Sequence, residues 1–470
     1  MKKTALIILI PFFSFLHSYK LLSQEYLFIS DITIIGNIKT EEATIIRELP
    51  FKRGDIIAAL HLERTLQEGA NNLRNTSLFN FVHVSYISSF TENTPKYMSI
   101  TIIISLEERW YFWPIVSLTL EDRNLSNWIK NTEWGKITAE TGVSIFNIGG
   151  KNQNLSAQVI FGFNRGFRFS YSNILLDKRG RHLLNVGFIR QYSRTENVSS
   201  DNNTPYMLKS DSLFLVSKYS SSLLYTFRQT IRLKHILELT YDYSKIDPEL
   251  LFVNPDYWGN EKLFRSSLSA EYNFVLDKRD YIQYPIDGYY INLAIKGYSA
   301  LSQKIHYGQI RGDLHYYNTI SNRISYALRS QWGISSKNVK GYIFDRAIGY
   351  NDILMRGYEF YVADGQNYIT MSPTLRYNFL PQTVYYLKFL PFLPKFNRIH
   401  IALYAKLFGD IGYVSHSYPS ANNNLSNRLL FSSGVGIDMV TYYDITLSLD
   451  YSFNQLGDHG PFFSVKSPLR

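Results

Sequence analysis

The chain of 470 residues has a mass of 54.7 kDa, 16% aromatic residues and a formal net charge of +10. It contains no cysteine, which excludes disulfides, thiolate chemistry and cysteine-ligated metals. Its positive charges are scattered rather than gathered in runs of Lys and Arg, which argues against nucleic acid as a partner. The mean hydropathy of −0.16, with 37 Tyr and 31 Phe, fits a barrel that is apolar outside and polar inside.

The first residues have the pattern of a secretory signal. Lys2 and Lys3 precede an apolar run from Ala5 to Leu16. That run is shorter than the roughly 20 residues that a helix needs to cross a bilayer. We therefore expect residues 1–24 to be a signal peptide. No later apolar run reaches about 18 residues, so we expect no transmembrane helix.

Residues 25–108 predict a small domain in front of the barrel. Phe28 to Ile35 has the composition of a strand, and Thr40 is a candidate N-cap for a helix that includes Leu49. A second helix carries its apolar residues on one stripe: Leu62, Leu66, Ala70 and Leu73. Two strands follow, so the predicted order of elements is β-α-α-β-β.

Three motifs lie in this domain. They are I-x-I-x-G-N at Ile32–Asn37, F-K-R-G-D at Phe51–Asp55 and L-F-N-F-V-H-V at Leu78–Val84. Together they resemble the POTRA domain, the polypeptide-transport-associated module. The alternative is another small α+β domain, and the motifs rather than the order of elements favour POTRA. The resemblance implies a periplasmic domain that binds an unfolded client by adding a strand to its sheet edge.

From Trp110 onward, apolar and polar residues alternate with a period of two. Segments of about ten such residues, after a signal peptide, favour a transmembrane β-barrel over a soluble sandwich. The alternation predicts sixteen strands, at 111–120, 136–146, 155–163, 167–176, 182–191, 213–221, 235–245, 263–277, 288–298, 304–318, 323–335, 368–379, 399–412, 428–440, 444–455 and 461–466. We interpret residues 109–470 as a 16-stranded antiparallel transmembrane barrel in the outer membrane of a Gram-negative bacterium, with the N-terminal domain in the periplasm.

The predicted loops are long on one side and short on the other, as is typical of such barrels. If the first strand runs outward, the long outer loops are 192–212, 246–262, 336–367 and 413–427, and the inner turns are mostly short. One inner turn, 380–398, is long and contains three prolines. We interpret it as a turn at the membrane interface.

Four motifs lie in the barrel region. They are L-D-K-R-D-Y-I-Q-Y-P-I-D-G-Y-Y at Leu276–Tyr290, M-R-G-Y-E at Met355–Glu359, F-G-D-I-G at Phe408–Gly412 and G-V-G-I-D at Gly434–Asp438. Together they resemble the BamA/TamA outer-membrane assembly superfamily, also called the bacterial surface antigen family. The resemblance implies a periplasmic turn motif at Asp277, Arg279, Asp280, Pro285 and Gly288. It also implies an anchor for the sixth outer loop, formed by Arg356, Gly357, Tyr358, Phe408, Asp410 and Gly412.

The chain departs from the family pattern in two places. Thr374 stands where relatives often carry Glu, which weakens the expectation of a charge network on the twelfth strand. The chain ends in S-P-L-R, without the C-terminal aromatic residue that is common in barrels.

The proposed anchor has a physical reason. The guanidinium of Arg356 is a planar fork of donors that suits the carboxylate of Asp410, and ordering a long loop requires such a contact. Phe408, Asp410 and Gly412 fall on one face of their strand, and we expect Gly409 and Gly412 to leave room for the loop. The alternative is a lumenal Asp and a solvated Arg that do not meet.

Enzymatic motifs are absent from the sequence. There is no G-x-S-x-G, H-E-x-x-H or P-loop, and the 10 His are dispersed. We therefore expect a non-enzymatic protein with no catalytic, cofactor-binding or metal-binding residues.

The resemblance implies a factor for outer-membrane protein assembly, insertion or polypeptide translocation. Its partners would be unfolded outer-membrane or secreted polypeptides, outer-membrane lipid and lipopolysaccharide, with periplasmic chaperones or accessory lipoproteins as further candidates. One alternative is a two-partner secretion transporter with a dedicated substrate, although such proteins usually carry two POTRA domains. Another is a passive pore or surface receptor.

The seam between the first and last strands carries two prolines. Pro114 lies early in strand one and Pro461 is expected to open strand sixteen. Proline lacks a backbone donor and is tolerated mainly at edges and strand starts. We therefore expect a weak ladder at this seam.

Overall fold

The computed structural model describes residues 26–89, 97–120, 137–301, 303–336, 339–350, 353–386, 396, 398–417, 419 and 422–466. The expected signal peptide and the last four residues lie outside these ranges. None of the described helices has the length and apolarity required to cross a membrane.

The N-terminal domain is a four-stranded sheet with two helices. Its elements are β1 (Tyr26–Ile35), α1 (Glu42–Ile46), β2 (Ile56–Ala58), α2 (Ala59–Asn75), β3 (Phe79–Ser89) and β4 (Met98–Glu108). The sheet order is β2-β1-β4-β3, and β1 and β4 are parallel. The four apolar residues predicted on one stripe of α2 are all buried, and they pack against the sheet in one core.

Two details of this domain differ from the sequence prediction. The strand β2 was missed, because three residues are too few to display an alternation. The first helix begins at Glu42 and ends at Ile46, so Leu49 lies beyond it. Thr40 is not its cap: the Thr40 hydroxyl lies 3.2 Å from the Tyr111 hydroxyl and accepts a hydrogen bond from Asn147 at 2.9 Å.

The described residues of the barrel and its loops contain twenty strands. They are β5 (Phe112–Leu120), β6 (Ile137–Ile148), β7 (Gln153–Gly162), β8 (Arg165–Leu175), β9 (His182–Ser193), β10 (Thr195–Asp201), β11 (Thr204–Lys209), β12 (Val216–Arg228), β13 (Leu233–Ile246), β14 (Phe264–Asp277), β15 (Gly288–Ala300), β16 (Ile305–Ser321), β17 (Ile324–Ser335), β18 (Arg346–Ile348), β19 (Ala363–Asp364), β20 (Asn367–Tyr386), β21 (Arg398–Ser415), β22 (Leu429–Val440), β23 (Thr446–Asn454) and β24 (His459–Lys466). Sixteen of them form one antiparallel sheet in chain order, and β10–β11 and β18–β19 form two small separate sheets. The predicted count of sixteen barrel strands is therefore confirmed.

The structure adds detail to the predicted outer loops and corrects one predicted inner turn. The outer loops are partly ordered, with β10–β11 in one, a short helix α3 (Pro248–Val253) in another and β18–β19 in a third. The expected interfacial turn at 380–398 is instead strand as far as Tyr386, and its remainder up to β21 lies mostly outside the described residues. Register shifts near Leu380 let Pro381 continue the strand, because a bulge relieves the ladder of the missing donor.

The outer loops pack on one another over the extracellular end. Three of these loops share a hydrophobic core of Val198, Leu215, Ile246, Leu250, Tyr257, Trp258, Tyr342, Tyr350 and Val362. Polar contacts add a fourth loop, in which Asn423 Nδ2 donates to Ser200 Oγ at 2.6 Å. The described parts of the outer loops therefore pack into one ordered layer at the extracellular end of the barrel.

The N-terminal domain packs on the opposite end of the barrel. The Thr44 hydroxyl donates to the carbonyl of Gly150, in the β6–β7 turn, at 2.9 Å. Arg232, in the β12–β13 turn, donates to Glu68 at 2.7 Å, and Arg109 pairs with Asp444 after β22. These turns therefore lie at the periplasmic end. Counted from β5, the first, third and every further odd strand of the barrel runs from the periplasmic end outward, as predicted.

Candidate functional site: the loop anchor and the lumenal turn

A segment of the loop between β17 and β20, residues 353–361, packs inside the barrel. Arg356 Nη2 lies 2.5 Å from Asp410 Oδ1, and the Arg356 backbone N–H donates to Asp410 Oδ2 at 2.8 Å. The Asp410 side chain is 1% exposed, and that of Arg356 is 24% exposed. A buried carboxylate is costly without donors, so this pairing fixes the loop segment to β21.

Two further groups hold the guanidinium of Arg356. It lies 4.0 Å above the centre of the Phe408 ring, a cation–π geometry. Its Nη1 donates to the hydroxyl of Thr374 at 3.1 Å. Thr374, the residue that departs from the family pattern, therefore contributes a neutral acceptor where a Glu would contribute a charge.

Small residues on the barrel wall allow the loop to come close. A Cβ added to Gly412 would lie 2.9 Å from Met355 Sδ and 3.1 Å from Ile348 Cδ1. Gly357 has a φ of +82°, and an added Cβ there would lie 2.9 Å from Ser432 Cβ. Gly409 does not have the expected role, because an added Cβ would meet only the Ser432 carbonyl oxygen within 4 Å, at 3.5 Å.

Beyond Arg356 the loop contacts the last three strands. The Tyr358 hydroxyl donates to the carbonyl of Phe431 in β22 at 3.2 Å. Asn454, at the end of β23, donates from Nδ2 to the carbonyl of Gly357 at 2.8 Å. The Phe360 and Phe462 rings lie 5.6 Å apart, so the loop also contacts β24.

The periplasmic turn between β14 and β15, residues 278–287, is held by its own motif. Arg279 donates to both oxygens of Asp277, at 2.8 and 2.6 Å. The Asp280 carboxylate accepts the backbone N–H groups of residues 286 and 287 at 3.2 and 3.3 Å. Gly288 has a φ of +99°, and an added Cβ would lie 2.1 Å from the Lys278 oxygen, so glycine is required there.

This turn folds into the barrel. The carbonyl of Pro285 accepts a hydrogen bond from Arg376 Nη1 at 2.7 Å, and that guanidinium lies 4.5 Å from the centre of the Tyr284 ring. The Tyr284 hydroxyl donates to Asp438 Oδ2 at 2.9 Å. Lys406 in turn lies 2.7 Å from both Asp438 and Asp450. A lumenal cavity of about 1000 Å³ separates the turn from the loop anchor.

Two family models match the chain. One, described as the Omp85 superfamily domain, matches residues 147–455, and the other, the POTRA model described as the surface antigen variable number repeat, matches residues 27–109.

The chain belongs to the Omp85 superfamily.

Both resemblances read from the motifs are therefore confirmed, and this Omp85 protein is an outer-membrane barrel with an N-terminal periplasmic POTRA domain. Among solved structures, it is similar to BamA from Haemophilus ducreyi lacking POTRA domains 1–3, with 14% identity, a TM-score of 0.51 and coverage of 94% of this chain and 85% of that one. It also matches CdiB from Acinetobacter baumannii, at 15% identity with a TM-score of 0.44 over 93% of this chain and 73% of that one. CdiB from Escherichia coli matches at 10% identity with a TM-score of 0.47 over 95% and 91%. No curated protein matches the chain.

The Omp85 sheet ends at β5 and β24. In the part of the chain that the structure describes, no backbone ladder joins these two strands. Pro114 pairs with Val143 of β6, and Pro461 pairs with Tyr451 of β23. Pro461 is the third residue of β24, not the first as expected, because the strand begins at His459.

The POTRA domain and the barrel share a buried ion pair that the sequence did not suggest. Arg228, the last residue of β12, donates to both oxygens of Glu48 at 2.9 and 2.6 Å, and Arg47 Nε lies 3.4 Å from the same carboxylate. Burial raises the pKa of Glu48, but the hydrogen bond and charge of Arg228 outweigh it and hold the pKa below its ordinary value.

Several functional candidates were missed in the sequence. Lys406 and Asp450 lie outside every motif, and Tyr284 lies in the motif of the periplasmic turn but was not singled out. The one available signal was the alternation of the strand, which places Lys406, two residues before Phe408, on the same lumenal face. Its partner Asp438 is the last residue of the motif on β22.

Proposed function

We propose that this protein handles unfolded polypeptides at the outer membrane, as an assembly, insertion or translocation factor that catalyses no covalent reaction. The proposed division of the chain is a signal peptide at 1–24, a POTRA domain at 25–108 and a barrel at 109–470. The observation that carries the proposal is the seam of the Omp85 barrel, where the described residues of β5 and β24 form no ladder, together with the POTRA domain packed at the periplasmic end.

The seam offers a client strand both hydrogen-bonding groups and lipid contact. An unpaired strand edge is a template for another strand. Outward-facing side chains beside the seam are apolar and exposed, with Val116 at 78% and Phe463 at 67%. A client hairpin could therefore pair with β5 or β24 while its apolar side chains enter the bilayer. Hydrogen-bond exchange and burial in lipid would drive this step, since it uses no nucleotide.

The POTRA sheet offers a second edge for capture. Its two edge strands are β2, with three residues, and β3, with eleven. The longer strand provides the longer ladder, and its Tyr86 and Ile87 are 43% and 53% exposed. We propose β3 as the edge that receives the client before transfer to the seam.

A second candidate is export of a dedicated polypeptide through the lumen. The polar cavity of about 1000 Å³ between the anchored loop and the turn supports it. Passage by this route requires the loop segment or the turn to leave the lumen. A simple passive pore is less well supported, because both segments make several specific contacts with the barrel wall.

A crosslink across the seam tests the two routes. The chain has no cysteine, so single cysteines at Val116 or Leu118 can be paired with one at Phe463 or Val465. Oxidised pairs should block client assembly, and reductant should restore it, whereas each single cysteine should be active under both conditions. Full activity with a quantitatively crosslinked seam would rule out lateral insertion and favour transport through the lumen.

A further inference from the structure

A cleft on the outer wall of the barrel combines arginines with aromatic rings. It has a volume of about 390 Å³ and lies where β7, β8 and β9 end at the extracellular side. Two of its seven lining residues are arginines, Arg165 and Arg190, and none is acidic. The other lining residues are Ile160, Gly166, Phe167, Tyr192 and Phe214.

Strand register places these arginines on the lipid-facing surface. Arg190 pairs with Phe167, and Phe167 pairs with Val159. Paired residues of an antiparallel sheet point to the same face, and Phe167 and Val159 are 38% and 48% exposed on the apolar exterior. Arg165 lies two residues further outward than Phe167, about 7 Å along the strand. Both arginines therefore face lipid at the rim and not the lumen.

Aromatic residues mark the depth of the cleft. Phe167 and Phe188 have ring centres 6.2 Å apart, Phe188 and Tyr219 5.0 Å, and Tyr219 and Tyr241 6.3 Å. Such a row of rings on the outside of a barrel lies at the level of the lipid headgroups. Arg165 and Arg190 stand beside this row, where phosphate groups of the outer leaflet are found.

The arginines of the cleft have no carboxylate partner. On the lumenal side, Arg168 of the same strand pairs with Glu140, and Arg311 pairs with Glu271. By contrast, among the described residues neither Arg165 nor Arg190 forms an ion pair. Arg190 donates only to the neutral hydroxyl of Tyr192, at 2.8 and 2.5 Å, and Arg165 lies 5.7 Å from the Phe214 ring centre.

A third arginine lies behind this pair. The guanidinium of Arg194 also lies against Phe214, 4.9 Å from the ring centre, and among the described residues its buried Nε has no hydrogen-bond partner. The cleft therefore concentrates positive charge at a lipid-facing position, where an arginine is stable only if an anion or water satisfies its donors.

We propose that this cleft binds a phosphorylated lipid of the outer leaflet. The guanidinium groups of Arg165 and Arg190 hold the phosphate, for which a planar fork of donors is well suited. An acyl chain lies along Phe167 and Val159. This lipid contact is additional to the handling of polypeptides, and it lies on the third to fifth strands from the seam, which itself is formed by β5 and β24.

The test uses the full-length protein in detergent and native mass spectrometry. The probes are bis-phosphorylated lipid A, the same lipid after enzymatic dephosphorylation, and inorganic phosphate. We expect the protein to retain the phosphorylated lipid. We expect Arg165→Gln/Arg190→Gln to bind it about 30-fold more weakly, because each arginine at an anionic membrane surface contributes roughly a factor of five.

Arg428→Gln is the control for loss of an exposed arginine, since Arg428 lies just before β22 at the extracellular end of the barrel and outside the cleft. It should bind lipid as the unaltered protein does, and altered gel mobility on boiling verifies that each variant is folded. Equal binding by the double variant and the unaltered protein would overturn the proposal. So would equal binding of the dephosphorylated lipid, an arm that needs no variant. Displacement of the lipid by inorganic phosphate at the same concentration would also overturn it and indicate a site for the free ion.

Discussion

Replacing Arg356 by Ala should release the loop segment from the lumen while leaving the barrel intact. The substitution removes the charged partner of the buried Asp410 carboxylate, whose side chain is 1% exposed, and leaves the backbone N–H of residue 356 as its donor from the loop. Breaking a buried ion pair on one side costs about 3–5 kcal/mol. Because Arg356 itself is 24% exposed in a wet lumen, the lower end of that range applies, and loss of the contact with the Phe408 ring adds about 1 kcal/mol.

A cost of about 3–4 kcal/mol changes the ratio of docked to released loop by at least about 100-fold. Chymotrypsin reports this release, since trypsin would lose a cleavage site with the substitution. Tyr358 is 2% exposed and should be cleaved only when the segment is released, whereas Phe252, in a different outer loop, is 89% exposed and serves as an internal reference. The ratio of the two cleavage products, measured by mass spectrometry, should rise strongly in the variant.

Two variants sharpen this test. Arg311→Ala removes another lumenal arginine with a carboxylate partner, Glu271, and should leave cleavage at Tyr358 unchanged because it does not touch the loop. Arg356→Lys keeps the charge but loses the planar fork, so we expect an intermediate effect. Unchanged cleavage at Tyr358 in both Arg356→Ala and Asp410→Ala would refute the anchor.

Three other predictions concern the POTRA contact, the loop contact and the location. The pKa of Glu48 is lower in the folded protein than its ordinary value of 4.5, so its contribution to POTRA docking is present above pH 4.5 and is lost as the pH falls through the lower folded value. Hydrogen exchange of α1 should therefore become faster over that pH interval. If the Glu48→Gln variant shows the same pH profile as the unaltered protein, the prediction is wrong. Gly412→Val should weaken docking of the loop by about 1–3 kcal/mol, because the new side chain would overpack against Met355, whereas Gly409→Val should not. Equal chymotrypsin cleavage at Tyr358 in the two variants would count against a close approach of the loop to Gly412. Cell fractionation should recover the protein in the outer membrane, with slower gel migration after boiling, and recovery as a soluble periplasmic protein would be incompatible with the fold.

The sequence by itself determined the strands and the family. Each barrel strand has one face in lipid and one in the lumen, so apolar and polar residues must alternate, and this local pattern was enough to count sixteen strands. The motifs around Arg356 and Asp410 could also be recognised in the sequence, because close contact between the loop and the barrel wall requires particular residues at fixed spacing. By contrast, the three residues of β2 are too short to display any period, and Thr40 looked like a cap although it bonds to Asn147.

Only the tertiary structure decided which groups meet across the lumen and between the domains. Alternation assigns a side chain to a face but does not say which strand lies opposite, so the contact of Tyr284 with Asp438 and that of Lys406 with Asp450 had no signature in the chain. The pair of Glu48 and Arg228 joins residues 180 positions apart, and each is an ordinary charged residue in its own segment. Arg165 and Arg190 likewise line one cleft only because the register of β8 and β9 places both side chains on the lipid-facing surface. The alternation within one strand does not specify which residues of the neighbouring strand lie beside it.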